Sequence, residues 1–169
     1  MTNRPSSKII AAIFASCFLF VFFFGGVMYL ERLGCIKNDN EPWRASMTSE
    51  TSEIELSAET GVASVAVRVE NIGRETLDSS AGVNVFLSFH ILTQSSKTLI
   101  NDNDRIALPE PIRKNQQKVL AAVLDNDRLK LKPGNYIVEF DLVKEGEFWF
   151  AEKDGNTLRI PMVVSGDAK

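Results

Sequence analysis

Val62-Ala63-Ser64-Val65-Ala66-Val67-Arg68-Val69-Glu70-Asn71 alternates with a period of two. Val65, Val67 and Val69 fall on one side of an extended chain, and Ala66, Arg68 and Glu70 on the other. A helix would group residues three and four apart, so this decade reads as a strand with one buried face. Asn71 and Gly73 supply the turn that follows.

The same period recurs on both sides. Val83 to Leu92 sets Val83, Val85, Leu87, Phe89 and Ile91 against Asn84, Phe86, Ser88 and His90, with apolar weight on both faces, as in a central strand. Ile54–Ser57, Thr98–Ile100 and Lys118–Leu124 are shorter candidates, and Tyr136–Val143, Phe148–Phe150 and Thr157–Val164 close the series. Seven to eight short strands punctuated by Gly, Pro, Asn and Asp predict an all-β, immunoglobulin-like sandwich. Leu131, Pro133, Gly134 and Tyr136 have the spacing of a tyrosine corner, in which a Tyr hydroxyl returns to the backbone of the preceding crossover. The expected large core residues are Trp149, Phe148, Phe150, Phe140, Phe86 and Phe89. No helix is expected after residue 30.

Ahead of the sandwich, Ile9 to Leu30 is a run of 22 residues without a charge. As a helix it would be about 33 Å long, matching a hydrocarbon core of about 30 Å. A cleaved signal peptide has a shorter apolar region that ends at small residues, whereas Tyr29, Leu30, Glu31 and Arg32 follow here. The run therefore reads as a single-pass signal-anchor. Arg4 and Lys8 place residues 1–8 in the cytoplasm by the positive-inside bias, and the rest of the chain outside a cell inner membrane. Residues 31–52 are polar and read as a juxtamembrane stalk, 53–165 as the sandwich and 166–169 as a tail. Trp43, in the stalk, reads as an interfacial anchor or docking residue.

Beyond residue 36, 16 Lys and Arg face 21 Asp and Glu, a net charge of −5 that argues against nucleic acid. Cys17 and Cys35 are too far apart along a helix to bridge. Charged Glu31 and Arg32 stand where a lipidation box before Cys35 needs apolar residues, which leaves Cys35 a juxtamembrane thiol.

Few residues carry chemistry. His90 is the one histidine, and there is no HExxH, GxSxG, Walker loop or CxxC. The expectation is a protein that is not an enzyme and holds no cofactor. Asn101-Asp102-Asn103-Asp104-Arg105 and Asp125-Asn126-Asp127-Arg128 offer alternating side-chain oxygens of the kind calcium takes, with Asp102 and Asp104 the metal candidates, against the reading as solvated turns. Trp149 beside Glu145, Glu147 and Glu152 suggests a platform on which a sugar ring stacks, against the reading of Trp149 as core.

Leu87-Ser88-Phe89-His90, then Asp104-Arg105 with Leu108-Pro109, then Pro133-Gly134 with Tyr136, then Asp141-Leu142-Val143, Glu145-Gly146 and Trp149-Phe150 form an ordered series. It resembles a small immunoglobulin-like module that accompanies bacterial glycosyltransferases, methyltransferases and polysaccharide exporters of the cell envelope, with the pattern LSYHW, DGxRTxLP, PGxYxLxxDLVxEGxxWF. Ile91 stands where that pattern has Trp, and Asn103 where it has Gly. The resemblance implies an accessory or recognition domain, in which most motif residues are structural; the binding candidates are Trp149, Glu145, His90 and Arg105, with His90 weighed against the reading of a buried or edge histidine bonded to backbone. Tyr136, Gly134 and Asp141 fall to structure, with Asp141 and Arg105 as a cross-strand pair.

Two functions follow. One is a membrane-anchored accessory module that binds a protein partner or a glycan in envelope polysaccharide or glycolipid handling. The alternative is a structural subunit of a larger membrane complex, its helix packed closely through Gly25 and Gly26.

Overall fold

The computed structural model describes residues 41–59, 61–100, 104–154 and 156–166. The anchor Ile9–Leu30, both cysteines and Asp102 lie outside them. Among the described residues no helix is long and apolar enough to cross a membrane.

The strands are β1 (Ala45–Thr48), β2 (Ile54–Ser57), β3 (Val62–Asn71), β4 (Val85–Thr93), β5 (Thr98–Ile100), β6 (Ile106–Ala107), β7 (Gln117–Asp125), β8 (Gly134–Lys144), β9 (Phe148–Trp149) and β10 (Leu158–Ser165). Two four-residue helical turns, α1 (Asn126–Leu129) and α2 (Ala151–Asp154), interrupt them. A three-stranded sheet runs β1-β3-β7, and a seven-stranded sheet runs β2-β10-β8-β4-β5, with β6 added to β4 and β9 to β8. Val65, Val67, Val69, Leu120, Ala122 and Leu124 from the smaller sheet meet Leu87, Phe89, Ile91, Val138, Phe140 and Leu142 from the larger one in a single core.

All pairings are antiparallel except that of β2 with β10. The chain enters on the smaller sheet as β1, crosses through residues 49–53 and continues on the larger sheet as β2. Ser49 holds this crossing, donating its hydroxyl to the Ala66 carbonyl at 2.7 Å and accepting from the Thr51 amide at 3.1 Å.

The expected strands are all present, β2, β3 and β5 with the expected bounds and the others with ends moved by one or two residues. Three features differ. Residues 41–52 are not a plain stalk: Ala45 and Met47 are buried, and β1 pairs with β3 from Ala45↔Asn71 to Thr48↔Arg68. Two apolar residues in four are too short a run for periodicity to reveal. Close approach makes the docking possible, because a Cβ on Gly73 would stand 2.4 Å from the Pro42 carbonyl oxygen. With β6, only two residues long, β1 brings the count to ten instead of seven to eight. The helical turns are also additional, and a carboxylate marks the start of each: Asp125 accepts the Asp127 amide at 2.9 Å, and Asp141 accepts that of Ala151.

Two buried asparagines tie loops to the sandwich. Asn71 donates to the carbonyls of Glu75 and Ile112 at 2.7 and 2.8 Å and accepts from the Gly73 amide at 3.0 Å. Asn126 donates to Ala58 and Leu131 carbonyls at 2.8 and 3.1 Å and accepts from the Leu131 amide at 3.0 Å. Each uses its amide to satisfy backbone groups that would otherwise be buried unpaired.

Candidate functional site

The site lies on the outer face of the seven-stranded sheet. In β4 the core-facing residues are Val85, Leu87, Phe89 and Ile91, which turns Phe86, Ser88 and His90 outward. In β8 the core takes Val138, Phe140 and Leu142, which turns Glu139, Asp141 and Val143 to the same outer face. Register places Ser88 opposite Asp141 and His90 opposite Glu139.

This polar row is covered by the chain's return. After the Glu145-Gly146 turn, β9 pairs with the end of β8, Trp149 opposite Val143 and Phe148 opposite Lys144, so that Trp149 falls on the outer face. Its indole meets the His90 ring at 4.6 Å between centroids, tilted by 56°. Arg105, from the segment before β6, lies over the same indole at 5.3 Å, donates to Ser88 Oγ at 3.2 Å and ion-pairs with Glu145. Asp141 is buried and accepts from the Leu142 amide at 2.7 Å and, through both oxygens, from the Ala151 amide at 3.3 Å.

The four binding candidates, Trp149, Glu145, His90 and Arg105, are therefore brought together around one indole. Trp149, Glu145 and Arg105, with Glu147, Phe148 and Glu152, line a shallow depression of about 280 Å³, of whose lining His90 is no part. The expectation of Trp149 as a core residue is corrected: it is half-buried on the outer face, because strand alternation gives the inward side to Phe148 and Phe150. Phe150, Phe140 and Phe89 are fully buried, whereas Phe86 and Phe148 are half-buried. Trp43 is corrected as well. Its ring packs edge-on against Phe148 and Phe150 at 6.2 and 6.3 Å, and Lys144 Nζ sits 4.7 Å over it, so its position in a polar stretch hid a partner a hundred residues away.

Of the structural trio, Tyr136 donates its hydroxyl to the Lys132 carbonyl at 2.9 Å, the bond of a tyrosine corner, and Gly134 lies beneath its ring. Of the metal candidates, Asp102 lies outside the described residues, and among the described residues no group of three or more His, Cys, Asp or Glu is placed to hold an ion. Both oxygens of Asp104 accept from Arg128, which raises the guanidinium's pKa above its ordinary value. In the second acidic loop Asn126 is turned inward and Asp125 caps α1.

A β1-β3-β7 sheet packed on a β2-β10-β8-β4-β5 sheet, joined through residues 49–53, and a tyrosine corner define an immunoglobulin-like β-sandwich. Among solved structures, similarity is found to a CARDB domain from Pyrococcus furiosus solved in complex with di-metal ions, at 13% identity over 72% of this chain and 85% of that one, TM-score 0.42. It is found also to the periplasmic chaperone SfaE, at 11% identity over 74% and 59%, TM-score 0.37. A PapD-like domain of human CEP192 matches at 12% identity over 79% and 91%, TM-score 0.37. No protein-family model matches the chain, and no curated protein matches its sequence.

Proposed function

We propose that this chain is a non-catalytic accessory module held at the bacterial inner membrane by Ile9–Leu30, with its sandwich outside. There it recognises a glycan of surface-polysaccharide or glycolipid handling through the Trp149 depression. The observation that carries this reading is the placement of Trp149. Its indole stands half-buried over a polar row, in a depression lined also by Glu145, Glu147, Glu152 and Arg105, side-chain types that hydrogen-bond to hydroxyls. The envelope-module resemblance from Leu87 to Phe150 and the length of the apolar run support the location.

Ser88, His90 and Asp141 share this outer face, and Ser88 is fully buried with its hydroxyl accepting from Arg105.

The test is glycan-array and calorimetric binding with the full chain in lipid nanodiscs. Saturable binding that Trp149→Ala weakens about tenfold or more, about 1.4 kcal/mol, is the expected result. Binding that survives Trp149→Ala unchanged, or none at all, would refute it. A second reading, the subunit of a larger membrane complex, is favoured by the bare outer face of the smaller sheet, where Val62, Val119 and Val123 are 64%, 52% and 49% exposed. Crosslinking in native membranes that recovers one stoichiometric protein would establish it.

A further inference from the structure

The one histidine of the chain is buried in contact with the indole on which the proposed glycan site turns. We infer that His90 is a pH-sensitive latch for Trp149, its protonation changing how the indole is held and how open the depression is. This rests on the glycan reading for its consequence but not for its mechanism.

The charges facing His90 come from several elements. From β8 come Glu139, directly opposite and already paired with Arg159, and Asp141 one pleat along. Before β6 stands Arg105, against the same indole, with Glu145 of the β8–β9 turn bound to it. Glu152 of α2 lines the depression, and from β4 itself comes Ser88. Neutral imidazole meets the indole as one ring against another. Imidazolium is instead drawn to the ring's negative face and to the carboxylates of Asp141 and Glu139. It also puts a second cation against an indole that Arg105 already covers. Two like charges sharing one ring repel, and Arg105 has an alternative in Glu145, to which it is already bonded. Protonation therefore tightens His90 on Trp149 and loosens Arg105 from it, uncovering indole surface for a ligand. His is the side chain whose ordinary titration falls between pH 5 and 8.

The experiment needs no ligand. In the full chain, the imidazole C–H resonances of His90 give its protonation curve, and the difference in emission between wild type and Trp149→Phe isolates the indole from Trp43. A one-proton change in Trp149 emission with the midpoint of the His90 resonance, absent in a folded His90→Gln variant, is the expected result. A flat emission curve across the His90 titration, a His90 that does not titrate between pH 5 and 8, or a transition that persists in His90→Gln would each overturn the latch. Should emission track His90 while no glycan binds, the latch stands and the glycan reading falls.

Discussion

In β3, of the smaller sheet, Val65, Val67 and Val69 are buried and the residues between them are exposed, whereas in β4, of the larger sheet, every side chain from Leu87 to Leu92 is buried. Both strands face the same core. The difference is on the outside, where β3 and β7 present Ala66, Ala121, Val119 and Val123 to solvent while the outer face of β4 and β8 carries the Trp149 indole, Arg105 and the start of α2. Burial in a sandwich is thus set twice, once by the opposing sheet and once by whatever the chain brings back over the outer face. The second layer admits polar groups because the covering segments supply donors: Asp141 takes the Ala151 amide from the returning chain, and Ser88 takes Arg105 from the segment before β6.

The largest effect expected from this contrast is at the core. Phe140→Ala removes a fully buried ring packed 5.9 Å from Phe89 and should cost about 3–5 kcal/mol in urea unfolding. Val119→Ala on the bare face should stay within about 0.5 kcal/mol. A comparable loss at Val119 would break the comparison, since it would mean that the smaller sheet's outer face is covered in the folded protein.

Next comes the second layer itself. Asp141→Ala leaves the amides of Leu142 and Ala151 without their acceptor in a buried position and should cost about 1–3 kcal/mol, with Asp141→Asn costing less because one oxygen remains. Hydrogen exchange should quicken at Ala151 before it does in the core. Unchanged exchange there would show that the return of the chain is held by the aromatic contacts alone. Tyr136→Phe, which deletes only the hydroxyl bonded to Lys132, should lose about 0.5–1.5 kcal/mol.

How much of this was legible in the sequence follows the same division. The inward face was readable because Val65-Val67-Val69 and Leu87-Phe89-Ile91 announce a period of two whatever covers them. The tyrosine corner was readable because its partners lie within four residues, Tyr136 to Lys132. The outer layer was readable only as a set of candidates. Trp149 and Glu145 were selected together with His90 and Arg105, yet nothing in their spacing says that the indole lands on His90, since that depends on β9 pairing with β8 and turning Phe148 the other way. Trp43 and β1 were missed for a related reason. Their partners, Phe148, Phe150 and β3, are distant in sequence, and four residues carry too little pattern to declare themselves. Asn71 and Asn126, read as turn and loop residues, show no sequence sign that their amides turn inward.

The smallest effect concerns the crossover from one sheet to the other, residues 72–84, where the two kinds of face are joined. Asp78 there accepts from the Ser80 hydroxyl at 2.6 Å and the Ser80 amide at 3.0 Å, and these bonds, the hydroxyl's first, lower its carboxyl pKa below the ordinary value. The neighbouring Ser79 ties the same loop to the Val85 carbonyl and the Leu108 amide, at 2.6 and 2.7 Å. A carboxyl whose folded pKa is depressed binds its proton more readily in the unfolded chain. Its contribution is therefore complete above the unfolded value, about 3.9, and is lost as pH falls through the folded value. Ser80→Ala should raise that pKa toward the ordinary value and remove this part of the acid dependence, leaving wild type and variant nearly equal in stability at the lowest pH and wild type slightly ahead near neutrality. Because the carboxylate is close to solvent, screening keeps the gap small. A variant that falls behind equally at every pH would place the hydroxyl's role in loop geometry instead of charge.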